Sequence, residues 1–307
     1  MEKWLRATVW ALPLLLQSAD ALAWGLYTHV YFAQYLVWSV ALADPAFRRA
    51  LKRFPESVLA GACLPDLSLF GFSAGTAAFR DSHTWTRAGR IVARCDNDRD
   101  RALALGYSSH LLADTIAHNH FVPDHRRAWA DLPTVTHVLS EWAMDSHLRG
   151  RVRSRPSQLV HRHQSYLAGY VAAQFGCSVR EAMRALTQLK LAEGLLRGIR
   201  IPDGIYRVSR GFDSQVRARF DRYASATAAL LHRIDGVLAG NRPALDPEPA
   251  PGNSARTMER SDAAAFPARE RPCGIAIAFR RPRADHSQSE TCAISAPMPA
   301  PARTSLG

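Results

Sequence analysis

The sequence is short of lysine, of paired cysteines, of long apolar runs and of strand-like alternation, and each shortage excludes something. Only Lys3, Lys52 and Lys190 are lysines, so the formal net charge of +12 is an arginine charge. Genomic base composition produces the same skew, which discounts it as a nucleic-acid signal. A positive surface still favours anionic partners, phospholipid headgroups or polynucleotides, without separating the two. The five cysteines (Cys63, Cys95, Cys177, Cys273, Cys292) are odd in number and show no CxxC spacing, so they give neither a disulfide framework nor a thiolate zinc site. No stretch in the first 240 residues alternates apolar and polar like a half-buried strand, which points to an all-α chain.

The one compact apolar run, residues 7–16, is too short for a comfortable membrane span. Lys3 and Arg6 precede it and Ala21-Leu22-Ala23 follows, the pattern of a cleaved secretory signal. Residues 1–23 therefore read as a signal peptide, with Trp24 as the mature first residue and a secreted or periplasmic destination; an uncleaved anchor is the alternative. From residue 242 the character changes again. Ten of the eighteen prolines lie between Pro243 and the end, among Ala, Ser and charges of both signs. That composition cannot offset its own ordering entropy, so residues 242–307 are expected to be a disordered tail. Between the two lies one helical domain, residues 24–241.

Histidine is what this domain has in quantity. Eight of the twelve fall between His29 and His147. His110-Leu-Leu-Ala-Asp114-Thr-Ile-Ala-His118-Asn-His120 is the densest stretch. Four residues on a helix turn through about 400°, so His110, Asp114 and His118 share one stripe. Nitrogen and oxygen donors so placed suit a divalent metal, zinc first, while a pair of core histidines bonded to a carboxylate is the plain alternative. Around this stretch a helical pattern begins after Thr28, a candidate N-cap, and runs to Asp44-Pro45. A second apolar helix ends at a Pro65-Asp66 turn, and a loop leads to His83-Thr84-Trp85. The central helix starts at Asp98 and is stopped by Pro123 near residue 122. A later helix carries His137 and Glu141 at i, i+4, with Asp145 one turn on. Further helices to residue 240 include an amphipathic one over 179–200, whose apolar residues, Leu191 and Leu195 among them, read as core.

Taken together, W-G-x-x-T-H at 24–29, G-A-x-x-P-D at 61–66, H-T-W at 83–85, S-H-x-x-A-D-x-x-x-H at 109–118 and H-x-x-x-E at 137–141 resemble the zinc-dependent phospholipase C family. That family shares its all-α, multi-helix bundle with the S1/P1 nucleases, and the chain looks close to the branch of the glycosylphosphatidylinositol-specific phospholipase D catalytic domain. The resemblance implies a site of three zinc ions. Asp66, His83, His110 and Asp114 would hold the first. Trp24, through its α-amino nitrogen and carbonyl oxygen, and His29 would hold a second, bridged by Asp114. His137, Glu141 and a histidine after Asp114 would hold the third. The phospholipases C proper and the nucleases place that histidine six residues on, here His120; the phospholipase D-like branch places it four on, here His118. The helical stripe favours His118, with His120 the alternative.

Such a site suits phosphodiester hydrolysis, with zinc activating water and neutralising phosphate oxygens and Asp66 as ligand and catalytic proton acceptor. The implied activity is a phospholipase C acting on phospholipid, as a monomer in peripheral contact with a membrane surface. An S1/P1-type nuclease is the first rival, although that group usually carries H-x-x-x-D and disulfides. A non-catalytic, zinc-stabilised envelope or lipid-binding protein is the second.

Overall fold

The computed structural model describes residues 25–248. Its architecture follows from one helix that is buried on every side. Helix α6 (Asp98–Ile116) is buried along nearly its whole length from Ala102 onward. It starts sharply because the Asn97 side chain accepts from the backbone N–H groups of Arg99 and Asp100. A helix buried on all sides must be surrounded by others. Here α1 (Leu26–Ser39), α2 (Pro45–Arg53), α3 (Pro55–Gly61), α5 (Trp85–Ala93) and α12 (Val216–Leu231) all pack against it. Between α3 and α5 lie a 3-10 helix (Pro65–Phe70) and the short α4 (Gly71–Ala74).

The second layer is built on α8 (Pro133–Arg149), α9 (Pro156–Phe175), α10 (Val179–Gly198) and α11 (Ile201–Phe212), with α13 (Ile234–Leu238) closing the bundle. Val138 and Trp142 of α8 form a small core with Leu196, Ile201 and Ile205. Among the described residues there is no strand, and no single helix is long and apolar enough to cross a membrane.

Two glycines decide how closely α3 approaches α6. A Cβ on Gly61 would stand 2.2 Å from the Leu103 carbonyl oxygen, and one on Gly106 would stand 1.9 Å from that of Val58. Only glycine admits this contact, and it brings the end of α3 against the site-bearing part of α6.

Several expected boundaries shift. Helix α1 begins at Leu26, with Gly25 as its N-cap, and Thr28 lies inside it; α1 ends at Ser39 rather than near Asp44. Asp66 sits in a 3-10 helix, not an open turn. Helix α6 does not stop at Pro123. It passes through a π-helical segment (Ala117–Phe121) into α7 (Val122–Ala128), where Pro123 occupies the first turn and needs no N–H donor. In α10, Leu186 and Leu189 are buried while Leu191 and Leu195 are exposed. Leu191 is about 200° around the helix from Leu189, so one apolar list served two faces. The signal peptide and Trp24 lie outside the described residues, as does the tail from residue 249.

Candidate metal centre

Each motif delivers its side chain by a local device. His110 projects from the middle of α6, and its Nδ1–H donates to the Ala62 carbonyl at 2.8 Å. The glycine contact between α3 and α6 is what brings Ala62 there. His83 lies one residue before Thr84, whose hydroxyl caps α5 by accepting from Arg87 N–H. The Ser82 hydroxyl donates its only proton to the Pro65 carbonyl at 2.8 Å, so it accepts from His83 Nδ1–H at 3.3 Å. His118 Nδ1–H donates to the Pro247 carbonyl at 2.6 Å. All three imidazoles are thus held by Nδ1, which leaves each Nε2 a lone pair for a metal.

Those Nε2 atoms converge with carboxylates. His110 Nε2 lies 3.0 Å from Asp114 Oδ2, 3.7 Å from Asp66 Oδ1 and 3.3 Å from His83 Nε2. His83 Nε2 is 3.5 Å from Asp66 Oδ1 and 3.8 Å from Asp114 Oδ2. These are five of the six edges of a tetrahedron. Zinc with ligands at about 2.0–2.1 Å in tetrahedral geometry sets neighbouring donors roughly 3.3 Å apart, so the cage has the size of the ion.

His29 Nε2 lies 3.4 Å from the other oxygen of Asp114, Oδ1, and its ring stacks on His110 with centroids 3.5 Å apart. Asp114 therefore faces two groups at once. A third group forms at the far end of the same helical run. His137 Nε2 is 2.9 Å and His118 Nε2 3.7 Å from Glu141 Oε1. His118 joins this group; His120 belongs to none of the three among the described residues.

The electrostatics ask for cations. Asp66 Oδ1, both oxygens of Asp114, His118 Nε2 and Glu141 Oε2 are buried without a hydrogen-bond partner. Orphaned polar atoms at this density are costly unless a metal satisfies them. Burial opposes the charge on Asp114, yet the neighbouring imidazoles, His110 first, hold its carboxyl well below the usual range. Burial also opposes charge on His110, but Asp114 and Asp66 overcome it and raise its pKa to about 9. Burial likewise depresses His29, with His110 adding to the effect. Glu141 is pushed up by burial to about 8, against the pull of His118.

The model of the zinc-dependent phospholipase C family matches residues 28–177. Over those residues the chain belongs to the zinc-dependent phospholipase C family. The match contains every candidate ligand except Trp24, and it carries a phospholipase C-like hydrolase function with zinc dependence. No curated protein and no solved structure matches the chain.

Family motifs do not reveal everything that shapes this centre. Asp145 is fully buried one turn beyond Glu141 on α8, and its Oδ1 accepts from Thr28 N–H and Thr28 Oγ1–H, both at 2.8 Å. Its Oδ2 meets Arg197. A Cβ on Gly25 would stand 2.3 Å from Asp145 Oδ2, which explains the glycine of the W-G motif. Asp145 so fixes the first turn of α1 and the aim of His29. The sequence signalled it only as one more acid on the α8 stripe. The Ala62 and Pro247 carbonyls left no sequence signal at all.

Proposed function

We propose that the mature protein is a secreted zinc-dependent phosphodiesterase, a phospholipase C that cleaves the glycerol–phosphate bond of phospholipids to diacylglycerol and a phosphorylated headgroup. The observation that supports it most is the cage of Asp66, His83, His110 and Asp114, whose donor atoms stand 3.0–3.8 Å apart. These four would hold one zinc ion. His29 and the other oxygen of Asp114 would hold a second, completed by the α-amino nitrogen and carbonyl oxygen of Trp24 once the leader is removed after Ala23. His118, His137 and Glu141 would hold a third.

When bound, zinc supplies Lewis acidity that lowers the pKa of water and neutralises phosphate oxygens. The remaining work falls to the chain. Asp66, buried, would give Oδ1 to the metal, and its other carboxylate oxygen would orient the attacking water and accept its proton. The Nδ1 bonds of His83, His110 and His118 hold the imidazoles in one tautomer throughout turnover. Imidazole and carboxylate donors, in place of thiolates, suit a hydrolytic rather than a purely structural site.

The test is to assay the purified mature protein on phosphatidylcholine vesicles and on single-stranded DNA side by side, with N-terminal sequencing and zinc determination. Diacylglycerol release by a zinc-loaded chain that begins at Trp24 is the expected result. DNA cleavage without diacylglycerol would replace this reading with the nuclease one. Bound zinc without turnover of either would make the centre structural.

A further inference from the structure

Three consecutive backbone carbonyls beyond the last helix accept hydrogen bonds from the helical body, the last of them from a candidate metal ligand. The Leu245 carbonyl accepts from Trp85 Nε1–H at 2.9 Å, the Asp246 carbonyl from Asn119 Nδ2–H at 2.9 Å, and the Pro247 carbonyl from His118 Nδ1–H at 2.6 Å. The donors come from two separate places, the start of α5 and the π-helical segment. Residues 242–248, at the head of what the composition marks as tail, are thereby bonded to the helical body.

We propose that Leu245–Pro247 is a positioning strap for the third metal group, setting the tautomer and aim of His118. The need for it lies in the local backbone. His118 and Asn119 stand in a π-helical segment, a break in the regular hydrogen-bond ladder of α6, so the helix alone does not fix their side chains as it fixes His110. The strap supplies what is missing. The Pro247 carbonyl accepts from Nδ1–H and leaves Nε2, buried and without a hydrogen-bond partner, 3.7 Å from Glu141 Oε1. Asn119 ties the neighbouring carbonyl while its amide also donates to Thr115 O at 3.0 Å, so π segment and strap are stitched together. Pro243 and Pro247 restrict the free chain and lower the entropy lost on docking. Arg242 Nη2 reaches the Asp246 carboxylate at 2.7 Å and holds the approach to the strap. Ala62 does for His110 what Pro247 does for His118, but Ala62 is held by the α3–α6 contact and Pro247 only by hydrogen bonds at its edge.

The inference rests on the reading that His118, His137 and Glu141 hold zinc, and the experiment separates the two. It uses the full mature chain, Trp85→Phe, which keeps the ring and removes only the donor, and a triple variant L245G/D246G/P247G. Zinc is counted and its affinities measured by chelator competition, and the His118 tautomer is read from long-range nitrogen–proton NMR correlations. Expected are wild-type protein with three zinc ions and His118 protonated at Nδ1, and strap variants in which one ion is held about 10–100-fold more weakly while two are unchanged. The apo variants should show mixed His118 tautomers. If the triple variant fails to fold, Trp85→Phe carries the test, with a smaller loss confined to the same ion. Strap variants with wild-type affinities and tautomer would overturn the strap and leave the metal centre standing. Wild-type protein with no zinc at this group would overturn the metal reading, and the tautomer would still test the strap.

Discussion

His110 and His118 stand two turns apart on one helical run, both held by Nδ1 to a carbonyl and both beside a carboxylate, yet their surroundings differ. The His110 half is fully buried, and its partners come from α1, the 3-10 helix, the segment before α5 and α6 itself. The close α3–α6 approach at Gly61 and Gly106 holds it in place. In the His118 half the His137 side chain keeps a fifth of its surface exposed, and the backbone is π-helical. Deep packing makes the first half rigid without outside help. The second half is less deeply buried at His137 and, on the inference above, depends on a strap from the far end of the domain. A centre for phosphodiester cleavage needs both properties, a preorganised cage and an accessible edge.

The comparison breaks most severely at the residue the buried groups share. Asp114→Asn should remove zinc from both buried groups, leave one ion at His118, and lower activity on the order of a thousandfold or more. Elemental analysis and diacylglycerol release check it, and Glu141→Gln should show the reverse, two ions kept and one lost. Gly61→Ala attacks the packing instead. With its Cβ 2.2 Å from Leu103 O, overpacking should cost about 3 kcal/mol. That lowers the Tm by on the order of 6–12 °C in thermal unfolding.

Acid should strike from the other side. His125, in α7 beside the shallow half, is wholly buried, and burial depresses its pKa to about 4 despite its bond to the Phe121 carbonyl. The unfolded chain therefore takes up this proton more readily than the folded one. The stabilising contribution is complete above about pH 6.5 and is lost as pH falls toward 4. Its size is at most about 3 kcal/mol. Denaturant titrations of metal-free protein at pH 7 and pH 4 check this, and His125→Phe should flatten that part of the profile. The smallest effect is at the start of α6, where Asn97→Ala removes the cap and should cost about 1 kcal/mol without changing zinc content.

Much of the centre was legible in the sequence because its spacing is set by regular helix. His110 and Asp114 at i, i+4, and His137 and Glu141 likewise, need only a 3.6-residue period to share a face. The glycines of the motifs had no visible reason until the structure put the Leu103 carbonyl over Gly61 and Asp145 over Gly25. Pro123 misled because a proline inside a helical pattern usually ends it, whereas here a π segment restarts the count and leaves Pro123 in a first turn. Leu191 and Leu195 misled because an apolar list does not say which way each residue points. The strap could not be read at all. A carbonyl has no sequence identity, and its segment begins a proline-rich stretch whose composition suggests no partner.

The most direct measurement is the zinc content per mature chain of the wild type, His118→Ala and His120→Ala, each dialysed against a weak chelator. Three, two and three ions are expected in that order. Wild-type protein that holds no zinc, or a His120→Ala protein that loses an ion while His118→Ala keeps all three, would contradict the centre described above.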